Sequence, residues 1–248
     1  MKENILFHQD DSMYLAKENY VKKSSNMQIH NHNYLTVSLL LSGSLIEHTP
    51  KETKIVKSGD VLIKPPGVMH ENIFTQDCTI LSFKLFDYKY YDFNWRDWNI
   101  LEQSASLKYF INVLHKKDKK NAFIELKKAL LYSSRKESST KIPEKIKRIK
   151  NLINIHFSEF IQISELAKEV NLNPVYLGQA FKHYYKTDIK SYQQQLRLHY
   201  AISQMCNQDE NLTQIAYKTG YADQSHFSKN FRKSTLISPK KFTTLLDL

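Results

Sequence analysis

Apolar and polar residues alternate over the first third of the chain. Thr36–Leu41, Ser44–Glu47, Lys54–Val56, Val61–Ile63 and Thr79–Leu85 each carry the period-two pattern of a strand. Turn residues separate them at Gly43, Pro50, Ser58-Gly59, Pro65-Pro66-Gly67 and Gln76-Asp77. Many short strands at close spacing, from about Asn4 to Phe86, predict a β-sandwich or barrel. From about Asp97 to Tyr132 the period becomes helical, through Trp98, Leu101, Ala105, Ile111, Leu114, Phe123, Leu126 and Leu130. The charged run from Lys116 to Lys120 splits that stretch into two helices. Ser133 to Lys141 is polar and reads as a linker. Everything after Pro143 is helical. The pattern therefore predicts an α+β chain of two domains, 1–132 and 143–248, joined by a linker at 133–142.

The second domain contains an internal repeat. Ile163-Ser-Glu-Leu166-Ala167 echoes Leu212-Thr-Gln-Ile215-Ala216 at an offset of 49, and Leu177, Phe181 and Lys182 match Phe227, Phe231 and Arg232 at 50. Each copy is a short helix, a tight turn and a second helix. Asn173-Pro174 predicts an N-cap followed by proline at the first helical position, and Asp223 a cap in the second copy. Gly220 suits the turn. The pairs Leu177/Phe181 and Phe227/Phe231 put one apolar stripe inward and leave the opposite face free. This is the helix-turn-helix layout, whose second helix enters a DNA major groove. Between the copies, Ile189 to Met205 predicts a helical strut of about 26 Å. With the widths of the two motifs, it can hold two reading helices about one DNA turn, ~34 Å, apart.

Charge supports a polyanionic partner. The chain has 36 Lys+Arg against 25 Asp+Glu, a formal charge of +11. Residues 141–248 hold 16 basic and 9 acidic side chains, so the excess per residue is highest where the repeat lies. An apolar fraction of 41% is enough for a packed core and excludes disorder by composition. No apolar run approaches the roughly 20 residues that cross a bilayer, and the amino terminus lacks a signal-peptide pattern. Cys78 and Cys206 are too few for a disulfide scaffold and suit a reducing cytoplasm. No hydrolase elbow, P-loop or dinucleotide fingerprint is present.

The C-terminal half resembles the AraC/XylS-type bacterial transcription regulators. The resemblance rests on Ile163-Ser-Glu-Leu-Ala167, Tyr176-Leu177, Phe181-Lys182, Tyr192, Arg197-Leu198 and Ala201. It continues through Ile215-Ala216, Gly220-Tyr221, His226-Phe227-Ser228-Lys229, Phe231-Arg232 and Ser238-Pro239. Lys186 and Leu236 stand where the family has glycine after each reading helix, which puts the left-handed glycine cap in question. The N-terminal part resembles the cupin domain of such regulators. Its second motif runs Gly59, Pro65-Pro66-Gly67, His70, with Phe74 replacing the terminal Asn. Its first motif keeps His30-Asn31-His32 and Gly43, but Thr36 replaces the metal-binding Glu and Ser24 the leading Gly.

The resemblance implies site residues. Asn173, Val175, Gly178 and Gln179 in the first reading helix, and Gln224, Ser225, Ser228 and Lys229 in the second, would face bases. Lys182, Arg232 and Lys233 would meet phosphates. Gln pairs bidentately with adenine and Lys donates to guanine. The barrel interior is the expected effector site, with His30, His32, Tyr34, His70, Phe83 and Lys84 as its lining. His30, His32 and His70 are also candidate ligands for a divalent metal, the one cofactor considered; the alternative is a metal-free barrel. The helical stripe through Trp98, Leu101, Ala105, Ile111 and Leu114 is read as a homodimer seam, against ordinary core packing. The aromatics from Tyr88 to Trp98 are read as barrel-to-helix packing. The implied function is a cytoplasmic, nucleoid-associated, effector-controlled regulator of promoter DNA, an activator by family habit and a partner of RNA polymerase. Two other readings are a three-histidine cupin oxygenase with a basic appendage and an architectural DNA binder without effector.

Overall fold

The computed structural model describes residues 4–22, 25–87, 99–101, 107–134, 142–207 and 210–246. Ser24, the aromatics from Tyr88 to Trp98, Ala105 and linker positions 135–141 lie outside them. The amino-terminal part forms two antiparallel sheets. One has six strands in the order β1 (Ile5–Gln9), β2 (Met13–Tyr20), β9 (Cys78–Leu85), β4 (Leu35–Ser42), β7 (Val61–Lys64), β10 (Asn99–Leu101). The other has four, ordered β3 (Met27–His30), β8 (His70–Phe74), β5 (Ser44–His48), β6 (Thr53–Lys57). Together the two sheets enclose a barrel-like interior. Leu40, Leu45, Val56, Leu62, Phe74, Cys78 and Ile80 fill part of it.

The central strands of the six-stranded sheet are buried on both faces, which explains why β4 reads as eight consecutive buried residues. Alternation sends Thr36, Ser38, Ser82 and Lys84 into the barrel. It sends Val37, Leu39, Leu81, Phe83 and Leu85 out against a helical layer. That layer begins with α1 (Leu107–His115) and α2 (Lys119–Ser134). The Phe83 ring lies 5.2 Å from Phe110 and 5.7 Å from Phe123. Ile111 and Leu114 are buried in the same core. Of the stripe, Ile111 and Leu114 are thus covered within the chain as core packing. Leu101, read as helical, instead lies in β10, paired with Val61 of β7. The free edge of β7 offers a complete ladder of backbone partners there, and a three-residue segment reaching it gains more as a strand than as a partial helical turn.

Among the described residues seven further helices follow: α3 (Glu144–Ile155), α4 (Ile163–Glu169), α5 (Pro174–Tyr185), α6 (Ile189–Asn207), α7 (Leu212–Lys218), α8 (Gln224–Thr235) and α9 (Pro239–Leu246). The first helix-turn-helix has its own core, built from Ile146, Ile149 and Ile153 of α3 with Leu166, Leu177, Phe181 and Tyr192. The second shares the barrel's outer core. Ala201, Ile202, Met205 and Cys206 of α6 and Phe227 and Phe231 of α8 join the cluster that begins with Phe83. Cys78 and Cys206 are both buried and not joined in a disulfide. Gly59 lets the strut helix dock: its φ is +94°, and a Cβ there would stand 2.6 Å from the His199 ring. Lys17, 2% exposed on the outer face of β2, donates to the carbonyl of Leu246 at the end of α9, 2.6 Å away.

Both reading helices end in the left-handed turn, but without glycine. Lys186 has φ 58° and Leu236 has φ 71°. The missing glycines thus did not change the turn type; a side chain sits in backbone geometry that costs about 1 kcal/mol relative to Gly. Leu236 is 56% exposed and gains little by packing. Leu236→Gly is therefore expected to stabilise the protein by about 1 kcal/mol in urea unfolding; a destabilised variant would show that the leucine side chain holds more than its exposure implies.

Candidate nucleic-acid interface and barrel cavity

Capping fixes the start of both reading helices. The Asn173 side chain accepts hydrogen bonds from the Val175 and Tyr176 amides, with Pro174 in the first turn. Asp223 accepts from the His226 amide at 2.7 Å. In α7, Asn211 and Gln214 form a reciprocal capping box. Gly220 (φ +77°) and Asn171 (φ 49°) occupy corresponding turn positions of the two copies. The apolar stripes face inward, with Leu177 and Phe181 at 0% exposure and Phe227 and Phe231 at 1%.

The opposite faces are open. Asn173, Val175, Gln179 and Lys182 are exposed on the first head, and Gln224, Ser225, Lys229, Arg232 and Lys233 on the second. Gly178 and Ser228 are half-buried beside them. Nothing lies within 4 Å of where a Gly178 Cβ would be, so the first head presents a bare stretch of backbone next to Val175. Among the described residues, Lys182, Lys229, Arg232 and Lys233 form no ion pair. Four cations thus flank the two faces without internal neutralisation.

The heads meet at Arg197 of α6. Its guanidinium donates to the carbonyls of Phe157, Ser158 and Glu159, all in the α3–α4 loop of the first head. It also donates to the carbonyl of Gly220 in the turn of the second, and lies 5.5 Å from the Tyr221 ring centre. Burial lowers its pKa somewhat, but a guanidinium starts so high that it stays charged. The α6 helix has 19 residues, a rod of about 28 Å. Sequence reasoning gave Arg197 no task; its place in the family pattern was the available signal.

The barrel holds a cavity of about 150 Å³. His30, His32, Tyr34, His70 and Lys84 line it, as expected. Phe83 does not: β9 alternates, and its neighbours Ser82 and Lys84 take the inward positions. Glu18, Lys64 and Asn72 also line the cavity and were missed. Two charge pairs organise the wall. Lys64 Nζ lies 2.9 Å from Glu47 Oε1, and Asn72 donates to Glu47 Oε2. Lys84 donates to Glu18 at 2.8 Å, and Ser82 and Tyr20 donate to the other oxygen of that carboxylate. Burial raises the Glu18 pKa, but the bonds from Lys84 and Ser82 outweigh it and the net direction is down.

The three histidine rings cluster, with centres 4.3 to 6.5 Å apart. Each Nδ1 faces a backbone carbonyl: Gln28 for His30, Tyr34 for His32, Val68 for His70. A carbonyl only accepts, so each Nδ1 carries a proton and donates to it. Thr36 Oγ1 lies 3.3 Å from His32 Nε2. Among the described residues no group of three or more His, Cys, Asp or Glu is disposed to hold a metal ion. The Lys64 ammonium also faces this cluster and opposes a further cation. Among the described residues the three histidines are thus a cluster of rings and not a recognised metal site.

Burial, then the Lys64 charge, pushes the His70 pKa down to about 3, and burial also lowers that of His32. The sign follows from the neutral form being native. Below the ordinary value of 6.5 the unfolded chain takes a proton that folded His70 refuses. Stability thus falls as pH drops from 6.5 towards 3, by at most about 1.4 kcal/mol per pH unit. His70→Asn should flatten this acid slope in urea titrations; parallel slopes for variant and wild type would show that His70 titrates normally.

Among the described residues, no helix is long and apolar enough to cross a membrane. Residues 166–244 match a family model described as a helix-turn-helix domain. The chain is similar to the regulatory protein PocR of Salmonella typhimurium, 26% identical over 98 residues. That match spans 40% of this chain and 32% of PocR. It is also similar to the HTH-type transcriptional activator RhaS of Salmonella paratyphi B, 29% identical over 118 residues, 48% of this chain and 42% of RhaS. The chain thus covers less than half the length of these relatives, which are named as regulators, not enzymes. Among solved structures, ToxT from Vibrio cholerae aligns with 95% of this chain and 99% of its own at 13% identity, with a TM-score of 0.41. Residues 166–244 of this chain thus match a helix-turn-helix domain, and the relatives similar to it are named as regulators.

Proposed function

We propose that the protein is a sequence-specific DNA-binding transcription regulator controlled by a small molecule bound in its barrel. The observation that carries this reading is the duplicated reading head: two capped helices with exposed polar faces and unpaired cations, joined by one strut. In this reading α5 and α8 enter neighbouring major grooves. Gln179, Gln224, Ser225, Ser228 and Lys229 reach base edges, while Asn173, beside its capping task, and Lys182, Arg232 and Lys233 meet the backbone. Val175 and Gly178 offer a methyl contact and close backbone approach instead of a donor pattern. The cavity takes a small polar effector through His30, His32, Tyr34, His70 and Lys84. Occupancy is felt across one sheet, because β2, β4 and β9 each carry cavity residues on one face and helix-facing residues on the other. Activation, contact with RNA polymerase and pairing of two copies belong to the same reading; sedimentation of the full chain tests the last.

The salt dependence of duplex binding tests the central part. Affinity should fall steeply with salt, and Lys182→Ala and Arg232→Ala should each reduce the slope of log K against log [salt] by about 0.9. A wild type that binds no duplex at low salt, or variants with unchanged slopes, would overturn the reading. A metabolite screen by thermal shift identifies the effector; the architectural alternative requires that nothing in it raises the melting temperature.

A further inference from the structure

We infer that Thr213, on the first helix of the second reading head, is a positioning residue that sets base discrimination by Gln224. The inference rests on the reading of α8 as a DNA-contacting helix. Gln224 is the first residue of α8, exposed and directly after the Asp223 cap. A side chain with three free torsions at such a place loses much of its discrimination to motion, because ordering it must be met on binding. Here it is already held. Thr213 Oγ1 donates to Gln224 Oε1 at 2.8 Å. Thr213 is itself fixed, since it sits in the first turn of α7 between Asn211 and Gln214, which form the reciprocal capping box. Thr213 thus ties the first turn of α7, which the cap holds, to the amide that meets the base. The bond uses one lone pair of Oε1. The second lone pair and both amide hydrogens remain for a base edge, so the clasp restricts the amide's rotation without using up its reading capacity.

The first head has no such device. Counting from the two N-caps, Asn173 and Asp223, the position matching Gln224 is Pro174, which has no donor or acceptor side chain. The clasp therefore concentrates base discrimination in the second head, through a residue that does not touch the base.

Selection of binding sites from a randomised duplex library tests this with the full chain. Gln224→Ala should flatten the preference at one base pair by about tenfold or more. Thr213→Val removes the hydroxyl and keeps the shape. It should weaken preference at that same base pair by about three- to tenfold and leave the other positions unchanged. Thr213→Ser should restore it. A general loss of stability or a lost phosphate contact would instead lower enrichment evenly across the site. The inference is overturned if Thr213→Val gives the wild-type profile, or flattens every position alike. If wild type enriches a motif but Gln224→Ala changes no position, the inference falls while DNA binding stands. If wild type enriches no motif, the proposed function itself falls and this inference with it.

Discussion

Gly220→Ala is expected to destabilise the protein by about 3–5 kcal/mol and to abolish specific DNA binding at working temperature. Two costs combine. The residue has φ +77°, where a side chain costs about 1–2 kcal/mol. A Cβ would also stand 1.8 Å from the Ser158 carbonyl oxygen and 2.9 Å from Arg197 Nη2. Neither neighbour can yield cheaply, because Arg197 Nη2 donates to Ser158 and Glu159 while Nη1 holds the Gly220 carbonyl. Moving the loop breaks the junction between the heads. The corresponding turn of the first copy sharpens the contrast. Asn171 adopts the same left-handed geometry with a side chain in place, so Asn171→Gly should change stability by only a few tenths of a kcal/mol to about 1 kcal/mol. Urea unfolding of both variants checks this, and a Gly220→Ala cost below about 1 kcal/mol would mean that the close approach is not a constraint.

Lys64→Met should cost a similar amount, about 3–5 kcal/mol, for an electrostatic reason. Glu47 is 0% exposed and its partners are the Lys64 ammonium and the Asn72 amide. Removing the ammonium leaves a buried carboxylate with one hydrogen bond and no counter-charge. Removing both charges together should recover most of the loss, so Lys64→Met with Glu47→Leu is expected to be more stable than Lys64→Met alone. Calorimetry of the three chains decides between this and a simple packing account, in which the two costs would add. Lys64 also walls the cavity with His70, so its loss should also change the effector thermal shift.

Much of the second half was legible in the sequence because its signals are local. Caps at Asn173 and Asp223, the turn at Gly220 and the i,i+4 phenylalanines all act within a few residues, and duplication states each signal twice. The barrel was legible as a set of strands, since alternation and turn residues are also local. What escaped depends on what lies across a sheet. Phe83 looked like a cavity residue because β9 forms the cavity wall. The six-stranded sheet is covered by helices, however, so the apolar members of β9 face outward and the polar ones line the interior. For the same reason Glu18, Lys64 and Asn72 were not recognised: a polar residue on a strand reads as solvent-facing until the cavity is known. Ile111 and Leu114 made a clean stripe, but a stripe does not say whether its cover is the same chain or another. Thr213 and Arg197 act across the turn and across the two heads, over distances at which spacing carries no information.

In the proposed function α5 and α8 grip one duplex together. Hydroxyl-radical footprinting of the full chain on its selected site tests it most directly. The account predicts two protected segments on one face of the DNA, about one helical turn (~34 Å) apart, with Arg232→Ala weakening the segment under α8 and Lys182→Ala the segment under α5. A single protected segment, or two on opposite faces of the helix, would contradict it.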